Sequence, residues 1–284
     1  MGKFGRSMAL VSSSWGVLRS NKSLLWLPVM AFALEAVFIG LVALVAVSTG
    51  GLEHWAKLIF QRSLSSLSDV TVLDIVLALG TWIGVSFIAV LSNSVLMAAV
   101  FEGFEGRDAS LRSGFQVVKP RMGNILRWAI LAGSFAFVLN VLYRKGGIVG
   151  VVIAWVLDAA WAFATVFVVP ILVLKDVGPF EALRESAGLF KRTWGEQVIG
   201  GLGIGLTFLA GWIAAIAIVV VAALAGGVWV AVPVGAVLFG ALLAAQSAVG
   251  AIFTAALYRW ANEGAAAPGF EGTDFAAAYV PKKK

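Results

Sequence analysis

The chain contains no cysteine and a single histidine, His54. Disulfides and thiolate metal sites are therefore excluded. Histidine metal clusters and Ser-His-Asp machinery are nearly excluded as well, and His54 reads as a solvated loop residue. The sequence carries no phosphate-cradling glycine loop ending in Lys-Ser or Lys-Thr and no HExxH. No enzyme activity, metal or cofactor is expected. Charge is also scarce. Only 13% of the 284 residues are charged, whereas a soluble domain carries about a quarter. What the chain has instead is apolar: 61% of residues are hydrophobic and the mean hydropathy is +0.96. Such a chain cannot build a charged shell, so its outer surface must face lipid.

A bilayer core takes about 20 apolar residues of helix. Six stretches qualify, near residues 23–48, 71–101, 125–144, 147–174, 197–225 and 228–261. The turn Arg144-Lys145-Gly146-Gly147 separates the third from the fourth. Gly226-Gly227 and Pro233 separate the fifth from the sixth without any charge. The 21 Lys and Arg residues fall in alternate gaps, all but Lys57, Arg62, Arg144 and Lys145 lying on one side. The positive-inside rule assigns that side to the cytoplasm, with both termini. The expected localisation is the cell membrane, multi-pass. The formal charge of +6 then reflects topology and attraction to anionic lipid of the inner leaflet rather than nucleic acid. The first stretch is too long and too far from the start for a signal peptide. The tail from Gly264, ending Lys282-Lys283-Lys284, is expected to be poorly ordered, so the domain reading is 1–262 with a tail at 263–284.

The basic gaps are patterned. Phe4, Met8, Val11, Trp15 and Leu18 recur at steps of four and three, one face of a helix. Phe180, Leu183, Ala187, Phe190 and Trp194 do the same, and Leu111, Phe115, Val118 and Met122 do so less regularly, with Pro120 expected to end or kink that helix. Each predicts an amphipathic interfacial helix, with Arg6, Arg19, Arg112, Lys119, Arg184, Lys191 and Arg192 directed to lipid headgroups. Ser14-x-Gly16 rhymes with Ser186-x-Gly188, and Ser113-Gly114 more loosely. The expected fold is all-α, six spans in three tandem units, each an interfacial helix followed by a hairpin.

Ionisable and amide residues inside the apolar stretches carry the candidate chemistry. Glu35 lies ~18 Å into the first span and Asp158 ~16 Å into the fourth from the opposite side. Trp155 and Trp161 flank Asp158 at three residues on either side and predict an indole-lined carboxylate suited to an organic cation. Asn93, Asn140 and Gln246 complete the intramembrane polar set. The reading the sequence favours makes both acids helix-to-helix glue, neutral or bonded to Asn140, Gln246 or a Trp N–H. Arg127 and Arg144 are expected to snorkel, and the GxxxG pairs Gly80/Gly84 and Gly201/Gly205 to permit close helix approach. Trp26, Trp128, Trp260, Trp55 and Trp229 sit where interfacial anchors belong.

Ser14-Trp15-Gly16-Val17-Leu18-Arg19 running into Leu24-Leu25-Trp26-Leu27-Pro28 resembles the opening of an uncharacterised family of prokaryotic multi-pass membrane proteins. So do Val168-Val169-Pro170, Ala182-Leu183-Arg184-Glu185-Ser186 and Lys191-Arg192-Thr193-Trp194-Gly195-Glu196. The likeness spans roughly residues 4–262. The layout is also remotely similar to the membrane portion of some glycerophosphodiester phosphodiesterases, without their catalytic domain. The resemblance implies a fold and no activity. Two function classes stay open. The favoured one is a non-enzymatic subunit or organiser that binds a partner complex, lipid or a second copy, in keeping with short soluble loops, abundant glycine and few buried polar groups. The other is a small carrier or channel for a cation, proton or organic solute that uses Glu35 and Asp158.

Overall fold

The structure is a computed structural model that describes residues 3–49 and 72–271. His54, Trp55, Lys57, Arg62 and the terminal lysines lie outside the described residues. Every regular element described is helical: α1 (Lys3–Ser20), α2 (Trp26–Thr49), α3 (Val72–Phe104), α4 (Leu111–Val118), α5 (Met122–Lys145), α6 (Gly147–Thr165), α7 (Val168–Leu174), α8 (Pro179–Gly226) and α9 (Val228–Glu263). Six stretches are long and apolar enough to cross a membrane: Lys22–Ser48, Leu79–Phe104, Leu111–Tyr143, Gly147–Leu174, Gly203–Gly226 and Val228–Glu263. They match the six apolar runs of the sequence and are consistent with a multi-pass membrane protein.

Local chemistry sets the helix ends. Ser110 caps α4 by accepting from the Ser113 amide, and Ser113 Oγ accepts from the Ser110 amide in return. This is a capping box built from two serines. Pro120 ends α4 at Val118 and leaves a tight 3₁₀ turn, Lys119–Arg121, before α5. Gly227, at φ +67°, supplies the left-handed residue that lets α8 stop and α9 turn back. In the fourth span Pro170 interrupts the ladder. Its ring nitrogen carries no proton, so the Val166 carbonyl lacks the donor a continuous helix would supply. The Phe167 amide, displaced from the ladder, donates instead to Ser186 Oγ on α8 at 3.0 Å.

Two elements depart from expectation. The segment 180–194 and the fifth span are not an interfacial helix followed by a separate membrane helix. They form one continuous helix, α8, of 48 residues, or ~72 Å at 1.5 Å per residue. The chain beyond Gly264 also differs over residues 264–271. Ala267 and Phe270 are both fully buried there, and Gly269 packs on Val17 of α1. The rest of the tail lies outside the described residues.

α3 and α9 are the central helices. α9 packs on α8, α1, α2 and α3, and α3 on α2, α4, α5 and α7. α3 and α4 approach backbone to backbone: a Cβ on Gly114 would stand 2.4 Å from the Val95 carbonyl oxygen. Burial is concentrated at the end of the molecule that carries both described termini. Residues 95–101 of α3, 167–168 and 171–173 of the fourth span and 251–253 and 255–258 of α9 form that core with Leu10, Leu18, Leu24 and Phe270. Phe101 meets Tyr258 edge-on, with ring centroids 6.0 Å apart.

Candidate functional site

Four spans line a half-open cavity of about 580 Å³ beside this core. α2 contributes Pro28, Phe32 and Glu35, and α3 contributes Ser92, Asn93 and Met97. The interrupted fourth span contributes Thr165, Val166 and Val169. α9 contributes Gln246, Ser247 and Thr254. Three of the intramembrane polar residues picked from the sequence, Glu35, Asn93 and Gln246, thus converge from three different spans. Gln246 Oε1 accepts the Trp212 indole N–H of α8 at 3.0 Å, which orients its amide from behind. Thr165 Oγ1 donates to the Trp161 carbonyl at 2.8 Å, so its lone pairs stay available. The lining residues include no Lys, Arg or His.

Asp158 is not part of this site. It is exposed on the outer face of α6, where Tyr143 Oη of α5 donates to it at 3.5 Å. The expected indole cage does not form either. Trp155 is 68% exposed, while Trp161 turns inward and stacks on Phe135 and Trp128, with centroid distances of 4.0 and 5.5 Å. Residues at i−3 and i+3 stand about 60° to either side of residue i on a helix with 3.6 residues per turn. One flank of Asp158 therefore meets α5 while the other faces outward. Asn140 is half-buried on α5 and lies away from the cavity lining.

Arg19, Arg112, Lys119, Arg184 and Lys191 are all exposed, and the Arg19 guanidinium lies 6.0 Å from the centre of the Trp15 ring. Arg6 falls in α1 and Arg192 in α8. The loops between them are clasped by charge. Arg107 binds Glu102 at 2.6 Å and also pairs with Glu105, and these carboxylates push its pKa further up. Lys175 pairs with Glu185. Asn124 donates to Asp176 at 3.2 Å and accepts from Arg127 at the same distance.

A family model described as a family of unknown function (DUF6159) matches residues 71–270. The chain belongs to the DUF6159 family. No curated protein matches the chain, and no solved structure does. The remote likeness to the membrane portion of glycerophosphodiester phosphodiesterases gains no support. The DUF6159 match takes in every helix lining the cavity except α2, the helix that brings Glu35.

Sequence reasoning missed Ser92, Thr165, Val166, Ser247 and Thr254. Hydroxyl residues are common in apolar helices and carry no signal alone. Pro170 was the available clue, because a proline inside a span releases a backbone carbonyl.

Proposed function

We propose that this DUF6159 member is a non-enzymatic, multi-pass cell-membrane protein, both termini cytoplasmic, that binds a small solute in its intramembrane cavity and acts as a carrier. The convergence of Glu35, Asn93 and Gln246 on one cavity carries this reading. Polar groups inside a membrane span are costly and collect where they line a pathway or pocket. A helix interrupted beside the pocket is a recurrent device of carriers. The exposed basic residues of α1, α4 and the start of α8 support a collar that contacts anionic headgroups. The rhyme of Ser14-x-Gly16 with Ser186-x-Gly188, both serines being fully buried, supports a likeness between the α1 unit and the start of α8.

The test is native mass spectrometry of protein extracted from its own membranes into nanodiscs. A small-molecule adduct is expected in the parent and absent in Ser247→Phe, which fills the cavity from an exposed position. An adduct-free parent bound to a stoichiometric protein partner would overturn the carrier reading.

One observation favours a second reading, that of a subunit or organiser. Asp158 lies on an exposed face of α6 among large apolar residues such as Val152, Trp155 and Val156. A carboxylate facing hydrocarbon calls for a neighbouring helix that supplies a donor. A partner complex or a second copy would answer that need.

A further inference from the structure

We infer that the cavity selects a monovalent organic ammonium ion, an amine carrying an apolar body. This rests on the carrier reading above and adds the class of solute. Four observations carry it.

The first is charge. Glu35 is the one ionisable residue in the lining. Inside a low-dielectric span a carboxylate is best neutralised by one positive charge, and an anion would meet repulsion with no Lys or Arg to offset it.

The second is the balance of donors and acceptors. Through the break at Pro170, the carbonyl of Val166, a residue that lines the cavity, lacks the donor a continuous helix would set on it. The adjacent Phe167 amide, which the same break frees, is already occupied by Ser186 Oγ at 3.0 Å. Gln246 has its oxygen engaged by Trp212, which leaves its amide as a donor, so the acceptors facing an ammonium are the Glu35 carboxylate and the hydroxyls of Thr165 and Ser247. An ammonium group, with donors only, fits such a wall.

The third is size. A volume of about 580 Å³ lies in the range of pockets for small organic molecules and is far more than a bare ion needs. Among the described residues no cluster of three or more His, Cys, Asp or Glu could hold a metal. A divalent cation would want several carboxylates.

The fourth is the apolar lining. Phe32, Met97 and Val169 share the wall with Glu35, so the solute has a hydrocarbon part to bury and a ring against which its cation can rest. A lipid ammonium headgroup has the same charge but brings a phosphate, for which no lining residue offers a cation. The ligand is therefore a free amine.

The experiment compares three probes of one shape on the full chain in nanodiscs of phosphatidylglycerol: phenethylammonium, phenylethanol and phenylacetate, followed by equilibrium dialysis. Phenethylammonium is expected to bind saturably, at least tenfold more tightly than either relative. Glu35→Gln is expected to abolish that preference and Glu35→Asp, which keeps the charge, to retain it. Equal elution profile and melting temperature establish that both variants fold. If all three probes bind alike, or if Glu35→Gln leaves the amine affinity unchanged, the ammonium assignment is overturned while the cavity reading stands. If none binds, both fall. In nanodiscs of phosphatidylethanolamine, free amine binding is expected to persist. Loss of it, with the lipid retained by the parent and not by Glu35→Gln in native mass spectrometry, would overturn the free-amine source in favour of the lipid.

Discussion

The two ends of the molecule are built differently. At the end that carries the described termini, α1, α4, α7, the start of α8, the last turns of α9 and residues 264–271 close around a core that includes Phe101, Phe167, Tyr258 and Phe270. At the far end more of each helix is exposed. Val76, Ile148, Val149, Val221, Leu224 and Trp229 are exposed, the last at 88%. The core residues of α3, the fourth span and α9 lie within apolar stretches long enough to cross a membrane, so the contrast comes from how many elements meet there: α1, α4, α7 and residues 264–271 close on α3 and α9. Between apolar helices, contact forms where shape or hydrogen bonds make it worthwhile. The bond from the Trp82 indole to the Gly133 carbonyl at 2.8 Å is such a contact at the far end. The cavity lies beside the packed core, where rigid walls can hold Glu35, Asn93 and Gln246 in place.

This contrast can be broken by substitution, with stability read as reversible unfolding in detergent micelles. The largest effect is expected for Phe270→Ala, which opens a hole in the packed core and should cost about 3–5 kcal/mol. A loss below about 1 kcal/mol would show that residues 264–271 add nothing to the fold. Gly114→Val comes next. Its side chain would meet the Val95 carbonyl and Ala99, and pushing α4 off α3 should cost about 1–3 kcal/mol. Gly240→Ala, at a glycine with open space around it, is the matched control and should be neutral or slightly stabilising. Ser186→Ala strands the Phe167 amide and should cost about 1–3 kcal/mol. It should also loosen the break beside the cavity, seen as faster amide exchange at Phe167. Trp82→Phe removes a hydrogen bond within the spans and should cost only about 0.6 kcal/mol. Trp229→Ala should fall within about 0.5 kcal/mol of the parent. An equal cost for Phe270→Ala and Trp229→Ala would erase the distinction between the two ends.

Much of the architecture was legible because it is written in local properties. Runs of about 20 apolar residues announce spans, and Gly226-Gly227 marked a turn even without a charge beside it. Pro120 ended α4 where its chemistry requires. The junction before the fifth span was misleading. The change from an amphipathic pattern to an apolar one suggested two helices, yet nothing in the backbone chemistry of residues 194–203 forces a stop, and α8 runs through. The tail misled in the opposite sense. Ala-rich and short, it gave no hint that Phe270 fills a hole beside α1.

The candidate site was half legible. Glu35 and Asp158 look alike in sequence, each an acid near the middle of a span. Their difference lies in which neighbours the other helices bring. Periodicity, length and charge belong to each segment alone, so the helices, the six stretches long and apolar enough to span a membrane and the few polar residues within them could be read from the chain. That Glu35, Asn93 and Gln246 share a cavity beside the Pro170 break while Asp158 faces outward follows from how the helices pack. Helix rotation is set by packing among α2, α3, α7 and α9, segments far apart in the chain, and in an apolar medium a single helix carries little pattern to say which face turns inward.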